Sequence, residues 1–325
     1  MPRPSRRMTP WLMSMVPALM GLAGCDRAAA RVQADSTQRA ADVGGATASV
    51  LKARIAPPHD ETVEAYRQSG AVNASAHTLT EREWTRVERA LADLPPLHRD
   101  FLERRLARLS FIDAPSSAGT ALTRAYEGPD GQSLFAITLR ADVLDKSLSD
   151  FLTEKESMLF TEDGSGYSVR FSAGDVPALS YLLLHEATHV VDRSLGVSKD
   201  VRPFSALWVD YLDLAAPFAT GPLGVTLYRR GQPIPLAESP ALYTALGASP
   251  FVSLYATASA GEDLAELAAW SHLSRLNIPL TVEVRDATGR AVVTVEPLKS
   301  PAVQARFAVA DTVLARAAAR PSQTP

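Results

Sequence analysis

The sequence predicts an α+β fold, and three observations carry that reading. Helical and strand patterns fall in separate runs along the chain instead of alternating. The strand candidates come as short antiparallel pairs around Gly- and Asp-containing turns. A helix near the middle of the chain is apolar on nearly all sides, so it belongs in a core. With 325 residues, 46% hydrophobic and 21% charged, the chain can bury a sizeable core and is neither disordered nor collagen-like. A net charge of −3 offers no basic surface, so no nucleic-acid partner is expected.

Residues 1–24 are an address. Arg3, Arg6 and Arg7 precede a short apolar stretch at 10–24, the layout of a secretory signal peptide. No apolar run reaches the roughly 18 residues of a membrane-spanning helix. The stretch ends in Leu22-Ala23-Gly24-Cys25, which resembles a bacterial lipoprotein box. The resemblance implies cleavage after Gly24 and fatty acylation of Cys25, with palmitate among the chains. The protein would then be anchored to a membrane of the cell envelope, on the periplasmic side of the inner or outer membrane. Cys25 is the chain's one cysteine, so an intramolecular disulfide and a four-Cys zinc site are both excluded. Residues 25–59 are rich in Ala, Ser, Thr and Gly up to about Ala56 and read as a flexible tether that Pro57-Pro58 ends. The body is 60–325.

Within the body, Thr80-Glu81-Arg82-Glu83 is a capping box, and Trp84, Val87, Leu91 and Leu94 follow at helical spacing until Pro95-Pro96. A second helix is expected at about 97–109, with Phe101, Leu102, Leu106 and Leu109 on one face. A hairpin follows, 121–126 with 133–140 across Gly128-Pro129-Asp130-Gly131. A helix is expected near 146–156. Residues 167–172 alternate strictly and predict a half-exposed strand, an edge candidate. Asp175-Val-Pro177 opens the central helix, which stops near Gly196. Helices near 204–216 and 261–274, a hairpin of 281–285 with 290–296, and a helix near 302–318 complete the chain.

The central helix carries His185-Glu186-Ala187-Thr188-His189. Residues four apart share a helix face, so the two imidazoles can grip one ion. Glu186 is rotated about 100° from His185 and lies beside that ion without binding it, placed to take a proton from water. This resembles the HExxH signature of the zincin metallopeptidases. The resemblance implies a zincin-like, two-lobed fold with a small antiparallel sheet and a Zn²⁺ cofactor. Zinc wants a third protein ligand. Asp192 is seven residues past His185, about 10.5 Å along the axis, too far for the same ion. It reads as a supporting acceptor or a helix-end contact.

The best source of a third ligand is Tyr255-Ala-Thr-Ala-Ser-Ala-Gly-Glu262-Asp263-Leu-Ala-Glu266. Glu262 and Glu266 share a helix face, and the run looks like the second motif of the Glu-zincins. Together with Tyr255 seven residues before Glu262, it resembles the protease domain of anthrax lethal toxin. The resemblance implies Glu262 as ligand, Glu266 as its support and Tyr255 as a hydrogen-bond donor to the reacting carbonyl. Glu266 as ligand, a plain helix cap at Ser259–Glu262 and a core role for Tyr255 stay open. The expected activity is a zinc-dependent envelope endopeptidase acting on a peptide or protein, with Glu186 as general base to zinc-activated water. In the resembled family the substrate pairs with an edge strand before this helix, where 167–172 falls. The alternative is a zinc-binding envelope lipoprotein that cuts nothing.

Overall fold

The computed structural model describes residues 50–319. The signal segment, Cys25 and the tether up to residue 49 lie outside the described residues. The chain is α+β and divides into two units. Among the described residues, one comprises those up to Thr80 with Leu106–Asp142, and the other comprises Glu81–Arg105 and those from Val143 onward.

The first unit has helix α1 (Asp60–Gln68) and a four-stranded sheet. Its strands are β1 (Ser75–Ala76), β2 (Leu106–Asp113), β3 (Ala121–Glu127) and β4 (Ser133–Arg140), in the order β1-β2-β4-β3. The β3–β4 hairpin forms as its turn residues require, with Gly131 at φ +71°. β2 corrects the expectation of a helix reaching residue 109. Leu106 and Leu109 lie on a strand that pairs in parallel with β4, their faces covered by the sheet. The pairing of Ser110 with Thr138 is closed by a buried hydroxyl contact of 2.7 Å. The end of the expected tether is packed as well. Leu51 is buried, and Arg54–Ala56 bond in register to Leu109, so the ordered body begins before residue 60.

The second unit holds α2 (Glu81–Ala92), α3 (Pro96–Arg105), α4 (Leu148–Ser157), β5 (Phe160–Thr161), β6 (Ser168–Ser172) and α5 (Ala178–Leu195). It continues with β7 (Ile234–Pro235), α6 (Ser239–Gly247), α7 (Ala260–Arg275), β8 (Thr281–Arg285), β9 (Ala291–Val295) and α8 (Pro301–Ala318). β5 and β7 pair in parallel, and β6, β8 and β9 form an antiparallel sheet in that order. α5 is the central helix. Apart from Ser180, every residue from Ala178 to Asp192 is buried, and Gly196 closes the helix at φ 66°. It packs on α7, which is buried through most of its length, and Ala265, Ala268 and Ala269 allow close approach.

The helix expected at 204–216 is absent. A 3₁₀ turn at Arg202–Phe204 leads into a loop closed by a bridge between Trp208 and Leu214. At its tip Asp210 Oδ1 accepts from the N–H groups of Leu212 (2.7 Å) and Asp213 (2.8 Å), a local bond that competes with helix. No helix among the described residues is long and apolar enough to cross a membrane.

Candidate metal centre

Two helices build the centre. α5 presents His185 and His189 from one face, their ring centroids 4.9 Å apart. α7 begins where Ser259 Oγ accepts from the N–H of Glu262 at 3.1 Å, so the serine half of the capping box forms. The Glu262 side chain turns instead to the histidines. Its Oε2 lies 3.0 Å from His185 Nε2 and 3.2 Å from His189 Nε2. One ligand atom from each of His185, His189 and Glu262 falls within 4.8 Å of the others, and the three could hold a metal ion.

Glu266 is one helical turn behind. Its Oε1 is 3.0 Å from His185 Nδ1, off the line of a full hydrogen bond. Tyr181 donates to the same Oε1; Ser253 Oγ (2.6 Å) and Trp270 Nε1 (3.3 Å) donate to Oε2. His185 therefore sits between two carboxylates. Burial opposes its charge, but the adjacent carboxylates of Glu262 and Glu266 prevail and lift its pKa to about 10. This pocket calls for positive charge between its carboxylates, and the donor set of two imidazole nitrogens and a carboxylate oxygen suits a divalent ion.

Glu186 is buried on α5 beside the ligands. Tyr255 lies in a 3₁₀ turn before α7, its ring 5.7 Å from that of His185. Burial first, then the charges of Glu262, Glu186 and Glu266, hold its phenol protonated far above the ordinary range, so it is a donor. Arg229 keeps this turn in place through the carbonyls of Thr257 (3.0 Å), Ala258 (2.9 Å) and Leu212 (2.6 Å). Asp263, next to Glu262, accepts from Trp208 Nε1 at 2.7 Å and pairs with Arg306 of α8.

Asp192 is the helix-end contact and not a support for the ligands. Its two oxygens accept from the backbone N–H and the hydroxyl of Ser198, each at 2.6 Å. His98 is buried, with Nε2 2.9 Å from Thr188 Oγ1. Burial lowers its pKa to about 4, so it is neutral. The expected substrate strand is an edge of its sheet, but α4 covers it. The N–H of Phe171 donates to Thr153 Oγ1 and that of Ala173 to Ser149 Oγ, both at 3.0 Å, so neither N–H is free for a substrate.

Sequence reasoning missed Lys155. Its Nζ lies 3.4 Å from the centroid of the Tyr255 ring and 5.8 Å from that of Tyr228. Its neighbour Glu156 is buried between the hydroxyls of Tyr228 (3.0 Å) and Tyr243 (2.8 Å). No signal in the sequence marks either. Trp270 was findable, since it is four residues from Glu266, whereas Tyr181 reaches Glu266 from 85 positions away. No family model, curated protein or solved structure matches this chain.

Proposed function

We propose that this protein is a zinc-dependent endopeptidase of the bacterial cell envelope, tethered through a lipidated Cys25. The convergence of His185 Nε2, His189 Nε2 and Glu262 Oε2 beside the buried Glu186 carries the reading. Three protein ligands of this kind suit zinc with a position left open. When bound, zinc polarises the scissile carbonyl and makes water acidic enough to surrender a proton near neutral pH.

The chain's own residues supply the rest. Glu186 accepts the proton from the attacking water and passes it to the leaving amine. Tyr255, kept protonated by burial and by the glutamates, donates to the developing oxyanion. Glu266 fixes the orientation of the His185 ring from its Nδ1 side, itself held by Tyr181, Ser253 and Trp270. A silent zinc-binding lipoprotein would have no use for Glu186 in this place.

Metal analysis of the purified full chain should find about one zinc per molecule. Glu186→Gln should keep that zinc and lose turnover of a casein substrate by about 10²–10⁴-fold. A folded chain that ignores added zinc would sink the reading, as would a Glu186→Gln variant as active as the parent.

A further inference from the structure

The site described above contains more negative charge than its ligands account for. Glu186, Glu262 and Glu266 contribute three carboxylates to one water-poor volume, and a divalent ion cancels two of them. An uncancelled charge in such a volume is costly. Lys155 stands where the remaining positive charge is needed. Burial opposes the charge on its ammonium, while the carboxylates of Glu266, Glu156, Glu262 and Glu186 favour it, and it makes no ion pair or hydrogen bond among the described residues. It rests instead on the face of the Tyr255 ring, 3.4 Å from the centroid, where the ring's electron density attracts a cation.

Resting on the proposed zinc centre, we propose that Lys155 is a positioning residue of that centre, its ammonium balancing the third carboxylate and clamping the Tyr255 ring beside His185. With zinc bound, three positive charges meet three negative ones. The fourth acid, Glu156, stays largely outside this balance, because burial between Tyr228 and Tyr243 favours its protonated form. The α4 backbone is fixed where Lys155 leaves it, since Glu156 anchors to those two hydroxyls.

The charge argument makes a prediction that a packing role would not. Lys155 repels zinc while it helps the reaction. In the full chain, Lys155→Met should bind zinc about three- to tenfold more tightly in competition with a chromogenic chelator, because a nearby cation is gone. The same variant should lose at least about tenfold in kcat on a fluorogenic casein, with KM within about twofold, since Tyr255 is no longer clamped. Lys155→Arg keeps the charge and can stack on the ring, so its zinc affinity should match the parent and much of kcat should return.

Weaker zinc binding in Lys155→Met at parental Tm would overturn the proposal, and so would an unchanged kcat. If Lys155→Met fails to fold, Lys155→Arg decides: parental zinc affinity with kcat above half the parent's supports the clamp, and loss of either overturns it. A parent chain that takes up no zinc would overturn the underlying function instead. That outcome is distinct, because the affinity measurement needs no turnover.

Discussion

Glu266 Oε1 and Glu262 Oε2 approach opposite nitrogens of one imidazole, each at 3.0 Å, and the ring between them is His185. The two acids are one turn apart on α7, so a single helix both completes the candidate ligand set and braces it from behind. The division of labour is set by depth. Glu262 is partly exposed at the helix start and faces the open side, whereas Glu266 is fully enclosed and saturated by hydroxyl and indole donors.

Exchanging these acids should therefore give different losses. Glu262→Ala removes a ligand, and zinc content of the dialysed protein should fall to background along with activity. Glu266→Gln leaves the three ligands in place and should weaken zinc binding by about 10–100-fold, as expected when the partner of a ligating histidine is altered. Equal zinc retention in both variants would contradict the assignment.

Tyr255→Phe keeps the ring that Lys155 contacts and removes the donor alone. Zinc content and KM should stay at parental values while kcat falls about 10²-fold. A change confined to KM would place the phenol in substrate binding instead.

Glu156 predicts a pH-dependent stability. Burial raises its pKa from 4.5 to about 7 against the opposing pull of the Tyr243 hydroxyl, Lys155 and the Tyr228 hydroxyl. Between those values the folded chain holds a proton that the unfolded chain releases. Its contribution is complete below about pH 4.5 and is lost as pH rises through 7, up to roughly 3 kcal/mol. His98, neutral and buried, slopes the other way between about 4 and 6.5. The comparison of parent with Glu156→Gln isolates the acid: urea unfolding midpoints should converge at pH 5 and favour the Gln variant at pH 8.

Cys25→Ser tests the anchor. The variant should leave the washed envelope fraction, or keep its signal segment uncleaved, as judged by gel mobility. Unchanged membrane retention of a cleaved chain would remove the lipid from the account.

The site's two patches were legible because the chemistry is encoded at local spacing. His185 and His189 are four apart, as are Glu262 and Glu266, and a helix converts that spacing into a shared face. The hairpins were legible from their turn residues. Residues 106–113 were not, because their apolar pattern also suits a helix and parallel pairing with β4 decides the matter from about 28 residues away. Lys155 was invisible for a related reason. Its position beside Tyr255 depends on how α4 packs across β6, and no spacing along the chain encodes a contact between residues 100 positions apart. Residues 204–216 were misread because their apolar residues serve as anchors, with Trp208 reaching Asp263.

The bond from Arg306 to Asp263 also orders events in time. Asp263 is fully enclosed, and its cation comes from α8, which follows α7 in the chain. Until that helix docks, the start of α7 would carry a buried charge without its partner, a penalty of about 3–5 kcal/mol. A chain made only as far as α7 can therefore hold His185, His189 and Glu262 and still lack the contact that settles the start of α7; the candidate centre is complete only once α8 has docked.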